Sequence, residues 1–204
     1  MKIGEILRFQ LHKYWRGFDT PTKPHMDDFT IARLTAELAK ARYYVEFGSG
    51  GSTILADQME VKTLTIESDA IYARAVRKGL KSGNVRVITK RIGPTGAWGY
   101  PLFNYPRSLM QKLWRGYVMR PFEEHLFPDL ILVDGRFRIA CALESARQAN
   151  LRGATATLIV DDYESRSDYH EMEKQLGGPE RVGRAAVFKI GKQKVQPLAF
   201  VHPA

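Results

Sequence analysis

Strand-like apolar runs alternate with helical patterns along most of this chain. The predicted strands up to residue 163 are ARYYVEF, VKTLTIE, NVRVITK, PDLILVD and ATATLIVDDY. The predicted helices include STILADQM, AIYARAVRKGL, FRIACALESARQAN and SDYHEMEKQL. Such alternation favours a parallel sheet with helices on both faces. The runs LILV and TLIV are purely or almost purely apolar, as in central strands buried on both sides. RAAVFKI and QPLAFVH predict a closing antiparallel hairpin, so we expect a doubly wound α/β sheet of seven mostly parallel strands.

The length of 204 residues is that of a single domain, which we assign to residues 1–204. No apolar run approaches the roughly 20 residues that span a bilayer, so we predict no transmembrane segment, and we recognise no secretory signal at the start of the chain. Cys141 is the single cysteine. An internal disulfide is therefore impossible, and a reducing cytoplasm is the expected location.

The net charge is +9, from 31 Lys and Arg against 22 Asp and Glu. A basic balance favours acidic partners, which include nucleic acid, phosphorylated small molecules and anionic membranes. The basic residues are scattered, however, with no long basic run and no RNA-binding motif. We interpret them as a solvated basic surface and expect no nucleic-acid partner.

Two segments lie outside the alternating pattern. Residues 1–24 combine an amphipathic helix over residues 2–18 with a short linker, TPTKP. We expect this helix to pack on its own domain, and the alternative is docking on a membrane surface or a second copy of the chain. The insertion 91–128 is rich in aromatic residues and prolines, which predicts a lid that brings Trp98 to the substrate. The alternative is a satellite core or a dimer contact, which leaves a homodimer open.

The run YYVEFGSGGST joins a predicted strand to a helix through a glycine-rich loop. A loop that cradles a pyrophosphate uses bare N–H groups and a helix N-terminus, both of which favour anions. Glu46, just before the first glycine, works against such a ligand and suits one that carries an ammonium group. Thr53 stands where a dinucleotide loop has its third glycine. Glu67 ends the next strand, where a carboxylate can accept ribose hydroxyls, so the pattern favours S-adenosylmethionine, an amino acid joined to a nucleoside.

In order along the chain, the motifs EFGSGGST, IESD and VDGRFR resemble those of class I S-adenosylmethionine-dependent methyltransferases. The resemblance covers residues 28–176, extends to a bacterial subgroup with VDGRFR and DDYxxRxxY motifs, and implies a Rossmann-like fold. It also implies a methionine-binding loop, a ribose-binding acid at Glu67 and a residue near the methyl group or ammonium at Asp134. The implied cofactor-binding residues are Glu46, Gly48, Ser49, Gly50, Ser52, Thr53, Glu67, Ser68, Ile92, Gly93 and Asp134.

Acids, arginines and a histidine are predicted to share one edge of the sheet. Asp134 is the first candidate for catalysis, and His170 is the second, because an imidazole can act as a general base near neutral pH. A surface histidine on an exposed helix is the alternative for His170. Arg136, Arg138 and Arg166 are predicted to bind an anionic substrate, since arginine pairs bidentately with carboxylate or phosphate. Salt bridges with neighbouring acids are the alternative for these arginines.

Asp134, Asp161 and Asp162 are similar to the oxygen ligands of divalent-metal O-methyltransferases, which would suit Mg²⁺ or Ca²⁺. That family places an Asp-Asn pair after the fifth strand, whereas this chain has two aspartates there. Asp161 can instead cap the next helix or face Arg166. We therefore assign no metal.

These features predict an enzyme that transfers a methyl group from S-adenosylmethionine to an oxygen or nitrogen of a small, anionic or hydroxylated acceptor. In-line transfer of this kind depends largely on proximity and orientation. One alternative is an NAD-dependent oxidoreductase, because NAD-binding folds share the ribose-binding acid. The other is a non-catalytic basic RNA-associated protein that retains the cofactor fold.

Overall fold

Seven strands form one mixed sheet in the computed structural model, which describes residue 15 and residues 17–93 and 107–197. The sheet has the order β3-β2-β1-β4-β5-β7-β6. Strands β1 to β5 are parallel, while β7 runs antiparallel to β5 and β6 antiparallel to β7. The strands are β1 (Tyr44–Phe47), β2 (Thr63–Glu67), β3 (Val85–Thr89), β4 (Leu130–Val133), β5 (Ala156–Val160), β6 (Glu180–Val182) and β7 (Ala185–Ile190). The predicted doubly wound, mostly parallel α/β sheet with a closing hairpin is confirmed.

Helices connect the parallel strands and pack against the sheet. Asp27 begins the first of them as an N-cap, because its carboxylate accepts the N–H groups of Phe29 and Thr30. The predicted helix SDYHEMEKQL is instead a 3-10 helix, Ser167–Met172, followed by a short α-helix. The α-helices are α1 (Asp28–Leu38), α2 (Gly51–Gln58), α3 (Ala70–Gly79), α4 (Arg107–Met119), α5 (Arg138–Leu151) and α6 (Glu173–Leu176). None of the helices in the described ranges is long and apolar enough to cross a membrane.

The central strands are buried along their whole length. Every residue of β1, β2, β4 and β5 is buried, whereas the edge strand β3 is half-exposed. The apolar runs LILV and TLIV therefore lie where the sequence predicts, in strands covered on both faces. Their carboxyl ends meet at one edge of the sheet, and this edge holds the candidate site.

The closing hairpin uses a different pair of strands from the predicted one. RAAVFKI does form a strand, β7, but its partner is β6, which precedes it along the chain. The prediction of a strand in QPLAFVH fails at Gln196 and Pro197, which are not in a strand, and its other residues lie outside the described ranges. β6 has three residues with exposed or half-exposed side chains, so it lacks the alternation that marks a strand in sequence.

The described part of the insertion 91–128 consists of residues 91–93 and 107–128 and packs into the core. Trp114, Tyr117 and Phe122 are buried, and the indole N–H of Trp114 donates to the carbonyl of Ile92 at 3.0 Å. These residues belong to the main hydrophobic core, together with Phe47 and Phe137, and so form neither the predicted lid nor a separate satellite core. The lid prediction now rests on residues 94–106, which lie outside the described ranges together with Trp98.

A linker segment, residues 18–27, crosses the helices next to the glycine loop. The Phe18 ring meets the Tyr72 ring edge-on at 5.3 Å, and the Thr20 hydroxyl donates to the carbonyl of Ala75 at 3.0 Å. Further along, the main chain of Lys23 lies directly against Gly51. The predicted amphipathic helix before this segment lies outside the described residues, apart from Trp15 and the start of the linker segment.

Candidate functional site

The glycine loop is held by close contact between two backbones. β1 and β4 are neighbours, and the loops that follow them touch at Gly48 and Gly135. Gly48 has φ of +90°, and a Cβ there would lie 2.7 Å from the Cα of Gly135. The N–H of Asp134 donates to the carbonyl of Phe47 at 3.0 Å, which ties the two loops together. Glycine is required at this crossing because a side chain would push the strand ends apart.

The loop opens directly into α2, whose N-terminus has no side-chain cap. Gly50 is the N-cap residue, and its own N–H donates to the Thr53 hydroxyl at 2.9 Å. The first N–H groups of a helix have no partner within the helix and carry a partial positive charge. This end of α2 can therefore bind a carboxylate through backbone groups alone.

Glu46 lies beneath the loop and has no exposed surface. Its carboxylate accepts hydrogen bonds from the hydroxyls of Ser52, of Thr53 at 2.6 Å and of Thr65 at 2.9 Å. Burial raises the pKa of the Glu46 carboxyl to about 7, although these hydrogen bonds oppose the rise. The geometry gives Glu46 a role in anchoring α2 to β2, and direct contact with a ligand ammonium stays a prediction.

Glu67 ties the end of β2 to the glycine loop. Its carboxylate accepts the N–H and the hydroxyl of Ser49, both at 2.8 Å. The N–H groups of Ser68 and Asp69 donate to its other oxygen at 2.6 and 2.8 Å. With the Ser68 hydroxyl at 3.1 Å, five donors therefore hold one carboxylate at the mouth of the loop, at the place where the sequence predicts the ribose.

Two further predicted cofactor residues follow β3. Ile92 is fully buried, and its carbonyl is the acceptor for Trp114. Gly93 has φ of +104°, and a Cβ there would lie 3.2 Å from the sulfur of Met110. The side chain of Ile92 therefore belongs to the core, and contact of this stretch with a nucleoside stays a prediction.

Arg138 is buried at the start of α5 and bridges the ends of β4 and β5. Its guanidinium donates to the Asp134 carboxylate at 3.0 Å and to the Asp161 carbonyl at 2.5 Å. It also lies 3.1 Å from the Asp162 carboxylate. The salt-bridge alternative therefore describes Arg138, and its predicted role in binding the substrate is not supported by this geometry.

Arg184, which the sequence analysis did not single out, makes the matching contact from the hairpin turn between β6 and β7. The Asp161 side chain is fully buried and accepts two hydrogen bonds from Arg184, at 2.9 and 2.5 Å. Arg166 pairs with Asp162 at 3.6 Å, and the suggestion that Asp161 faces Arg166 stays a prediction. No local motif marks Arg184, because it reaches Asp161 only through the fold.

Asp134, Asp161 and Asp162 form a carboxylate cluster, and the surroundings of Asp134 change the pKa of its carboxyl group. Loss of hydration raises the pKa of the Asp134 carboxyl well above its usual range, and the neighbouring Asp161 and Asp162 raise it further, while Arg138 opposes the rise. The side chain retains 26% exposure. A carboxylate with a raised pKa is a stronger proton acceptor than an ordinary surface aspartate.

The remaining predicted residues lie around this cluster. Arg136 is buried next to the carboxyl end of β4, while Arg166 is 36% exposed and lies over the Tyr169 ring at 5.5 Å. The His170 ring stacks on Tyr163 at 5.0 Å, and its Nε2 is buried without a hydrogen-bond partner among the described residues. The catalytic role of His170 and the substrate roles of Arg136 and Arg166 stay predictions.

We compared the chain with protein-family models, curated proteins and solved structures to identify its protein class. No protein-family model matches the chain, and no curated protein matches it. Among solved structures, a methyltransferase-like protein from Silicibacter pomeroyi is 30% identical, with a TM-score of 0.74 over 88% of this chain and 93% of that chain. Cofactor-bound Rv0187 from MTB is 15% identical, with a TM-score of 0.56 over 95% of this chain and 92% of that chain, and shares the fold.

The sheet order, the antiparallel β7 and the glycine loop after β1 define the class I S-adenosylmethionine-dependent methyltransferase fold. Within it, the chain belongs to the family of methyltransferase-like proteins represented by the Silicibacter pomeroyi structure. Membership of the subgroup with VDGRFR and DDYxxRxxY motifs stays a prediction.

Proposed function

We propose that this protein is an S-adenosylmethionine-dependent methyltransferase that methylates an oxygen or nitrogen of a small, anionic or hydroxylated acceptor. The observation that carries the proposal is the meeting of the β1 loop and Glu67 at one edge of the sheet. Ser49 and Glu67 are joined by two hydrogen bonds of 2.8 Å across this edge. The family of the Silicibacter pomeroyi methyltransferase-like protein and the cofactor-bound state of Rv0187 support the same function.

The residues present fit the methyl donor at both of its ends. The uncapped N-terminus of α2 would hold the carboxylate of the methionine part, and Glu67 would accept a ribose hydroxyl in exchange for that of Ser49. When bound, S-adenosylmethionine supplies an electrophilic methyl group on a sulfonium. Gly48 and Gly135, which have no Cβ, let the ends of β1 and β4 lie in contact next to the place where that group would be held.

The acceptor would lie near the carboxyl ends of β4 and β5. Asp134 is partly exposed there and has a raised pKa, so it suits the removal of a proton from a hydroxyl or ammonium acceptor. Arg166 offers an exposed guanidinium for an anionic group on the same molecule. Arg138 orients Asp134 through their 3.0 Å hydrogen bond.

Calorimetric titration of the full chain tests the cofactor. S-adenosylhomocysteine should bind, and NAD should not. Glu67→Gln should weaken S-adenosylhomocysteine binding by about tenfold or more, because a hydrogen bond to a charged group contributes about 1.5–3 kcal/mol. Glu171→Gln is the matched control, since the Glu171 side chain is 71% exposed. Binding of NAD without S-adenosylhomocysteine would refute the proposal.

Methyl transfer from radiolabelled S-adenosylmethionine tests the acceptor. We expect label to enter small hydroxylated or amine compounds that carry an anionic group, and Asp134→Asn to lower the rate constant more than the affinity for the cofactor. If Asp134→Asn transferred the methyl group at the rate of the wild type, Asp134 would have no role in the reaction. Salt-sensitive binding of RNA without any methyl transfer would indicate a binding protein instead.

A further inference from the structure

Three carboxylates lie together at the carboxyl ends of β4 and β5. Asp134, Asp161 and Asp162 each have a ligand oxygen within 4.8 Å of those of the other two. Clustered carboxylates of this kind are the ligands that Mg²⁺ and Ca²⁺ take in proteins. Whether a cation fits here depends on what already occupies the space between the oxygens.

Two guanidinium groups already pair with all three carboxylates. Arg184 donates to both oxygens of Asp161, at 2.9 and 2.5 Å, and lies 3.4 Å from Asp162. Arg138 lies 3.0 Å from an oxygen of Asp134 and 3.1 Å from one of Asp162. Each carboxylate therefore has an arginine partner. Asp162 is shared between Arg138 and Arg184, and Arg166 lies 3.6 Å from it as well.

Both arginines are also fixed by main-chain acceptors outside the carboxylate cluster. Arg184 donates to the carbonyl of His25 at 2.5 Å, and Arg138 donates to the carbonyl of Gly135 at 3.1 Å. A divalent cation needs its oxygen ligands at about 2.0–2.6 Å, so it could enter only by displacing a guanidinium. Displacement of Arg138 would leave a buried guanidinium without its charge partners, which is strongly unfavourable. Displacement of Arg184, whose side chain is 32% exposed, would break its two hydrogen bonds to the buried Asp161 carboxylate.

We propose that Arg138 and Arg184 occupy this carboxylate cluster in place of a divalent cation, so that the protein binds no metal there while both arginines are present. The two guanidiniums supply the two positive charges that a divalent ion would bring. They also fix the relative positions of the β4 and β5 ends, which a metal ion does by coordination. The inference concerns metal binding alone and does not depend on the proposed methyl transfer.

Electron paramagnetic resonance of Mn²⁺ tests the proposal on the full chain, because the signal of free Mn²⁺ falls as the ion binds. The informative variant is Arg184→Gln, which removes the charge between Asp161 and Asp162 and keeps a polar side chain. The matched control is Arg181→Gln in the same hairpin. Arg181 pairs with Glu164 at 2.6 Å and Glu173 at 2.9 Å, which are not members of the cluster.

The wild-type protein and the Arg181→Gln variant should leave millimolar Mn²⁺ free. Arg184→Gln should bind Mn²⁺ at least about tenfold more tightly than the wild type, since it frees two carboxylates from a positive charge in contact with them. Tight binding by the wild type would overturn the proposal. An Arg184→Gln variant that folds, by circular dichroism, and binds no better than the wild type would also overturn it.

Arg138→Gln provides an independent second variant. It removes the partner of Asp134 and one partner of Asp162 and leaves the hairpin contact of Arg184 in place, so it decides the matter if Arg184→Gln does not fold. Tighter Mn²⁺ binding by Arg138→Gln supports the proposal, and unchanged binding by this folded variant contradicts it. If neither variant folds, the wild-type titration decides, because bound Mn²⁺ there refutes the inference and free Mn²⁺ supports it.

Discussion

Glu46→Gln should change how the stability of this protein depends on pH. Burial raises the pKa of the Glu46 carboxyl from 4.5 to about 7. Because the folded-state pKa exceeds that of the unfolded chain, the native protein holds a proton that the unfolded chain releases between these two pH values. The contribution to stability is therefore fully present below about pH 4.5 and is lost as the pH rises through about 7.

The size of the effect follows from the difference between the two pKa values. About 2.5 units at about 1.4 kcal/mol per unit gives about 3 kcal/mol. Glutamine at position 46 cannot ionise, yet its amide can still accept hydrogen bonds from the hydroxyls of Thr53 and Thr65. The free energy of unfolding of the wild type minus that of Glu46→Gln should therefore fall by about 3 kcal/mol between pH 4.5 and pH 8.

Urea-induced unfolding, followed by tryptophan fluorescence at several pH values, measures this difference. Subtracting the variant cancels the contributions of all other ionising groups. Glu171→Gln is the control for the substitution itself, because the Glu171 side chain is 71% exposed. A Glu46 difference that changes by less than about 1 kcal/mol, or that increases with pH, would refute the argument.

Four other substitutions test the contacts around the site by calorimetry or urea unfolding. Gly51→Ala places a Cβ against the main chain of Lys23 and should cost about 3 kcal/mol, whereas Gly50→Ala, whose Cβ would meet only a tyrosine hydroxyl at 3.6 Å, should cost less than about 1 kcal/mol. Arg138→Met should cost about 3–5 kcal/mol, because it leaves the Asp134 carboxylate without its arginine partner and removes one of the partners of Asp162. Asp27→Ala should cost about 1–2 kcal/mol through loss of the N-cap. The hydrogen bonds of Asp27 outweigh its burial and lower its pKa to about 2, so the wild type should lose this contribution as the pH falls through about 2.

Each of these predictions has an outcome that contradicts it. Equal losses for the two glycine variants would show that the linker segment does not constrain the loop. A loss below about 1 kcal/mol for Arg138→Met would mean that the ion pairs behave as exposed ones. If Asp27→Ala were as stable as the wild type at neutral pH, the Asp27 carboxylate would not stabilise the start of α1.

The arrangement of the sheet was predictable because its signals are local. The apolar runs of β4 and β5 identify buried strands, and the alternation with helices indicates parallel pairing. β6 was missed because a three-residue edge strand with exposed side chains carries no periodic signal. The whole insertion 91–128 was predicted to form a lid, whereas Trp114, Tyr117 and Phe122 lie in the main core. An aromatic-rich segment is compatible with a binding loop and with a packed core, and the sequence alone does not distinguish the two.

The candidate site was predictable in its position and much less in its contacts. The position follows from motifs at strand ends, which a parallel sheet brings to one edge. The contacts depend on register and on distant turns. Glu46 meets Thr65 because these two residues are directly paired between β1 and β2, and Asp161 meets Arg184 through the hairpin. No spacing along the chain specifies either pair.

The contact between the linker segment and α2 constrains one sequence position and leaves the other free. The atoms of Lys23 and Pro24 that approach Gly51 are main-chain atoms, and every amino acid has them. Replacing the side chain at position 23 therefore leaves the contact intact, whereas position 51 accepts only a residue without a Cβ. Related chains that make this contact should therefore have glycine at position 51. Their residue at position 23 can differ, because its side chain takes no part in the contact.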